Sequence, residues 1–142
     1  LNQYIKREYY NIKDNDLIIL KKIFMDIATT IDFLNKNKIV HTDIIGANII
    51  ITNDLQIKII DFDFSIISDK NIKGVVIIDI YSFIVMVSQI IFEQIYLNKN
   101  YSLFNNKDII QKEIIMKNFL TNKGITQYKS CIEFIDKTFK ND

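Results

Sequence analysis

The chain has 142 residues, 49% hydrophobic and 25% charged, with no proline, no tryptophan and one cysteine, which is enough for one domain with one core and too apolar for a disordered chain. Eighteen Lys and Arg against seventeen Asp and Glu leave a net charge of +1, and the lysines are scattered along the chain, which argues against a nucleic-acid binder. Cys131 stands alone, so no internal disulfide forms and the expected compartment is the reducing cytoplasm.

The first residue is Leu1, with neither a methionine nor a basic n-region and cleavage site, so the expectation is a piece of a longer chain. Residues 1–11 are mixed in character and read as a linker or a short helix. Asp14 to Asp16 form a polar cluster suited to capping, and Leu20, Ile23, Phe24, Ile27, Ile31 and Leu34 then recur at three and four residues. That spacing predicts an amphipathic helix ending near residues 35–37. Short β-branched runs follow at Ile39-Val40, residues 49–52, residues 57–60 and residues 65–67, with a polar turn at Thr52-Asn53-Asp54. They predict small strands, with residues 49–60 as a hairpin.

Residues 75–97 are the most apolar part of the chain and long enough to consider as a membrane span. Asp79 would place a charge in the hydrocarbon, and Gln89, Glu93 and Gln94 lie near the other end, so this reads as a helix inside a water-soluble core, with no membrane partner. Two further helical patterns follow, one on Ile109, Ile110, Ile114 and Phe119, the other on Tyr128, Cys131, Ile132, Ile135 and Phe139. Cys131 is read as a core residue.

Chemistry concentrates between the first helix and the apolar one. His41, Asp43, Asn48, Asp61 and Asp63 interrupt apolar strands where packing alone asks for no polar residue. A carboxylate after one strand, an amide at the start of a hairpin and a second carboxylate closing it can meet at one end of a small sheet. Hard oxygen donors of this kind suit Mg²⁺, which takes one or two carboxylates plus substrate phosphates. Phosphoryl transfer needs such a set: one carboxylate for the acceptor hydroxyl, and an amide and a carboxylate for the metal.

His41-Thr42-Asp43 with Asn48 resembles the catalytic-loop pattern H-x-D-x-x-x-x-N of protein kinases, and Asp61-Phe62-Asp63 resembles their metal-binding D-F-G motif. The stretch from Asp79, DIYSFIVMVSQIIF, resembles the long central helix of the kinase C-terminal lobe. The resemblance implies an α+β, mostly helical fold, a protein kinase-like C-terminal lobe with a small β-hairpin region, spanning residues 1–142 as a single partial domain. It implies that Asp43 is the catalytic base and that Asn48 and Asp61 hold Mg²⁺. Ile50 would form the floor under the adenine of ATP, with Ile49 and Ile51 packing toward the central helix. His41 and Phe62 would join a hydrophobic spine beneath the site, and Asp79 would accept hydrogen bonds from the catalytic-loop backbone, which gives a buried carboxylate the donors it needs.

The departures from the family pattern qualify these roles. Thr42 stands where many kinases carry an arginine that answers a phosphorylated segment, and Ile45 stands where a phosphate-contacting lysine is usual. Asp63 replaces the flexible glycine, which either removes a backbone flip or adds a metal ligand. With only Gly46, Gly74 and Gly124 there is no glycine-rich loop, so the N-terminal lobe is expected upstream or in trans. The leading expectation is an ATP- and Mg²⁺-dependent Ser/Thr kinase with a protein substrate. A small-molecule phosphotransferase of the choline or aminoglycoside type and a non-catalytic pseudokinase lobe that binds a partner protein are the alternatives.

Overall fold

The computed structural model describes residues 1–4, 14–69, 74–97 and 135–136. Among them the fold is α+β and mostly helical, with two long helices, α1 (Asp14–Lys36) and α2 (Ile77–Leu97), around two small antiparallel sheets. Strand β1 (Ile39–Val40) pairs with β4 (Ile66–Ile67), and β2 (Ile49–Ile51) pairs with β3 (Ile57–Ile59).

Helix α1 forms on the expected spacing. Leu20, Ile23, Phe24, Ile27, Ala28, Ile31 and Leu34 are buried along one face, while the other face carries the ion pairs Lys22–Asp26 and Lys36–Asp32, both 2.7 Å and four residues apart. Such exposed pairs add only a few tenths of a kcal/mol each, about 0.3–0.5, so burial holds the helix. Its last turn closes with the Asn37 side chain donating to the Phe33 carbonyl at 2.8 Å, and Lys38, at φ 61°, turns the chain out of the helix.

The registers are Ile39↔Ile67 and Val40↔Ile66 in one sheet, and Ile49↔Ile59, Ile50↔Lys58 and Ile51↔Ile57 in the other. Alternation follows from the two-residue period of a strand: Ile49 is buried, Ile50 is 45% exposed, and Ile51 packs partly against the core. The hairpin loop is tied by the Thr52 N–H donating to the Gln56 carbonyl at 2.9 Å and by Leu55 N–H donating to Thr52 carbonyl at 3.0 Å. Leu55 there adopts φ 61°, a left-handed conformation usually given to Gly or Asn.

Helix α2 begins at Ile77, two residues later than the apolar run suggests, because Val75 and Val76 form the turn that leads into it. Ile80, Phe83, Ile84, Met86, Val87 and Ile90 are buried. With Phe24, Ile27 and Ile31 of α1, Ile44, Ile49 and Ile135 they form one core cluster. Lys21 of α1 also pairs with Asp136 at 3.0 Å. No helix among the described residues is long and apolar enough to cross a membrane. The helical patterns expected over residues 109–119 and 128–139 lie outside the described residues apart from residues 135–136, as does Cys131.

Candidate functional site

The loop from His41 to Asn48 is shaped by a carboxylate from another element. Asp79, in the first turn of α2, is fully buried. Its Oδ2 accepts the His41 backbone N–H and its Oδ1 the Thr42 backbone N–H, both at 2.8 Å. Each buried carboxylate oxygen thereby has a donor, the condition for keeping such a group inside a protein. Burial pushes the Asp79 carboxyl above the ordinary carboxylate range, against the opposing pull of the two N–H groups. The pinned chain passes through φ 72° at Thr42, a costly conformation for a β-branched residue.

His41 is fully buried and saturated. Its Nε2–H donates to the Ile60 carbonyl at 2.9 Å, and its Nδ1 accepts the Asp43 N–H at 3.2 Å. These partners select the neutral Nε2–H tautomer. The Phe62 ring meets the His41 ring edge-on, with centroids 4.7 Å apart and planes at 67°. A histidine with both nitrogens occupied is a scaffold for its neighbours.

Asn48 closes the loop. Its Nδ2 donates to the Asp43 carbonyl at 3.0 Å and to Asp43 Oδ2 at 2.9 Å, across five residues. Both amide hydrogens are spent on Asp43, and among the described residues the Asn48 Oδ1 accepts no hydrogen bond. The short 3₁₀ turn Gly46–Asn48 between them keeps the spacing.

Asp61 arrives from the far side of the hairpin. Ile60, which precedes it, is held twice: its N–H donates to the Asn48 carbonyl at 2.9 Å, and its carbonyl accepts from His41. Phe62, which follows it, lies on the His41 ring. Asp61 is therefore anchored on both flanks to the loop that carries Asp43 and Asn48. Its own side chain is exposed and its φ is 64°, a conformation Asp tolerates better than most residues. Asp63 is exposed as well and takes part in no three-residue cluster of metal-binding side chains; no such cluster exists among the described residues.

Asp61 and Asn48 are the residues here whose oxygens could hold a Mg²⁺ ion, and then only with ligands from elsewhere. One exposed carboxylate and one amide oxygen are too few for an all-protein cage and suit an ion that keeps water and phosphate ligands. Ile50 is exposed on the outer face of the hairpin and lines an open groove of about 660 Å³ with Leu1, Asn2, Tyr4, Ala47 and Ile51. Thus the structure brings Asp43 and Asn48 into direct contact, ties Asp61 to the same loop, and leaves Ile50 facing outward beside it. Sequence reasoning missed Ile60 as the backbone hinge of the site and the Thr42 hydroxyl, which donates to the Phe64 carbonyl at 2.9 Å. Neither carries a sequence signal, since one acts through its backbone and the other through a fold-dependent contact.

Compared with known families, residues 1–76 match the model of protein tyrosine and serine/threonine kinases, just over half of the 142 residues. The matched stretch takes in α1, both sheets, and the loops with Asp43, Asn48 and Asp61, and stops short of α2. No curated protein and no solved structure matches the chain.

Proposed function

The chain belongs to the protein tyrosine and serine/threonine kinase family, and from that membership we propose that it is the catalytic, C-terminal lobe of an ATP- and Mg²⁺-dependent kinase acting on Ser or Thr hydroxyls of a protein substrate. The observation that carries this reading is the contact of Asn48 Nδ2 with both the carbonyl and the carboxylate of Asp43. It orients a carboxylate and a free amide oxygen side by side, a proton acceptor next to a metal ligand.

In this reading Asp43 Oδ1, which Asn48 leaves free, accepts the proton of the acceptor hydroxyl as its oxygen bonds to the γ-phosphorus and the bond to the departing ADP oxygen breaks. Asn48 Oδ1 and the Asp61 carboxylate would hold Mg²⁺, which when bound would supply positive charge against the phosphates. Ile50, exposed on the groove, gives the adenine an apolar surface. The phosphates need a second clamp from a glycine-rich loop and a lysine, supplied upstream or in trans. Ile45, exposed within the His41–Asn48 loop, offers no cation to a transferring phosphate, which is the feature favouring a small-molecule alcohol as the alternative acceptor.

The test is phosphoryl transfer from labelled ATP by the intact protein to a peptide library and to small alcohols. Transfer to Ser or Thr peptides is expected, and Asp43→Asn should lower it by about 10²–10⁴-fold, the range for loss of a general base. Equal turnover by the Asp43→Asn protein would refute the assignment of Asp43. Transfer to small alcohols alone would move the acceptor to the second class.

A further inference from the structure

The segment after Asp61 is tied to the strand before Asp43 at more points than a two-residue sheet provides. Strand β4 pairs with β1, Ser68 N–H donates to the Lys38 carbonyl at 3.2 Å, and Lys38 Nζ donates to the Asp69 carbonyl at 2.9 Å. Between these contacts and His41–Ile60 lie the edge contact of the Phe62 ring with His41 and, among the described residues, one side-chain hydrogen bond, from Thr42 Oγ1 to the Phe64 carbonyl at 2.9 Å. Phe62 to Ser65 form a turn of their own, with Ser65 N–H and Oγ both donating to the Phe62 carbonyl at 3.0 and 2.7 Å. Asp63 sits in that turn without a positive φ, so the turn needs no glycine at this position. Without the Thr42 bond, the turn after Asp61 would be held to the Asp43 loop on that side by the Phe62–His41 ring contact alone until β4 begins.

Thr42 pays for its place with φ 72°. Strain in a β-branched residue persists where surrounding contacts over-determine it, and Thr42 has two: its N–H on Asp79 Oδ1 and its hydroxyl on the Phe64 carbonyl. A glycine would meet the backbone requirement at lower strain, so the backbone alone does not explain a threonine here.

We propose that the Thr42 hydroxyl is a latch: by its bond to the Phe64 carbonyl it holds the turn after Asp61 against the Asp43 loop, and so acts as a positioning residue for the Asp61 carboxylate. The functional half of this rests on the reading of Asp61 as a metal-holding residue, and the structural half stands without it.

The test compares wild type, Thr42→Val, Thr42→Gly and Thr42→Ser in the intact protein, by amide hydrogen exchange and by calorimetric titration with ADP, with and without Mg²⁺. Val keeps the β-branched shape without the hydroxyl, Gly relieves the strain without the hydroxyl, and Ser restores the hydroxyl. Exchange at Ser65 and Ser68 is expected to quicken about threefold to tenfold in Val and Gly, the scale of one hydrogen bond, with α1 unchanged and Ser close to wild type. Binding of Mg²⁺-ADP should weaken in the same two variants and recover in Ser, while Mg²⁺-free ADP binding stays level. Unchanged exchange in both Val and Gly overturns the latch, as does a Ser variant as fast as Val. The expected exchange pattern in a protein that binds no Mg²⁺-ADP would uphold the latch and overturn the metal-holding reading of Asp61 instead.

Discussion

Asp79 gathers more of the site than any other single side chain, although it contacts no residue proposed to touch substrate. Its two oxygens fix the backbone at His41 and Thr42, and through them the start of the loop carrying Asp43. Asp79→Asn keeps the size but turns an NH₂ toward one of the two N–H donors, leaving that donor unsatisfied in the interior. The expected cost is about 1–3 kcal/mol, read as a lower denaturant midpoint. Its pH dependence has a definite sign. Because burial raises the Asp79 carboxyl above its unfolded value, the folded chain keeps a proton that the unfolded chain has released between those two pKa values. Its contribution to stability is full below the unfolded value and falls as pH rises through the folded one. Asp79→Asn should remove that part of the slope, and stability measured across the mildly acidic range in both proteins checks it; parallel profiles would contradict it. This role was legible only through the family resemblance, because nothing local in the sequence links Asp79 to residues 37 and 38 positions earlier.

At the scale of elements, the helices and strands follow from pattern. The three-and-four spacing of α1 and the β-branched runs of the hairpin specify their own structures, and both appear where local preference puts them. The backbone breaks between them are where the sequence is silent. Thr42 and Leu55 adopt φ 72° and 61° against the preference of their side chains, so no propensity argument finds them. In the hairpin this has a measurable consequence. Leu55→Gly gives the loop the residue its conformation favours, and stability should rise by about 1 kcal/mol, provided the half-buried leucine contributes little packing. A denaturant midpoint that falls on substitution would show that its packing outweighs its strain. Asp61 is the instructive contrast: its φ of 64° falls on a residue type that tolerates it, so function and local preference agree there.

For the molecule as a whole, the site is built on a core that it does not interrupt. Phe24, Ile27 and Ile31 of α1 meet Phe83, Ile84 and Val87 of α2 within one cluster that also takes Ile49 from under the hairpin. Ile27→Ala opens a cavity in this cluster and should cost about 2–5 kcal/mol, lowering the denaturant midpoint of the whole described core at once. Two separate transitions in the variant would show that the hairpin and the helices do not share one core. Ile135 joins the same cluster, and Asp136 pairs with Lys21. The 3.6-residue pattern marks Ile135 as a core residue but cannot say which helix it meets, since that depends on the path of the chain between. The site itself was legible as a set of residue types with a spacing; the ordering that makes it work, Ile60 held between Asn48 and His41, required the fold.

The proposed Mg²⁺ site of Asp61 and Asn48 for a nucleotide is tested by calorimetric titration of the intact protein with ADP, with and without Mg²⁺, beside the Asp61→Asn variant. Asn tolerates the left-handed backbone at this position, so the variant removes the charge and keeps the fold. Saturable binding that needs Mg²⁺ and weakens about tenfold or more in Asp61→Asn, a loss of about 1.4 kcal/mol, is the predicted result. No saturable binding, or binding equal in the variant and indifferent to Mg²⁺, would contradict it.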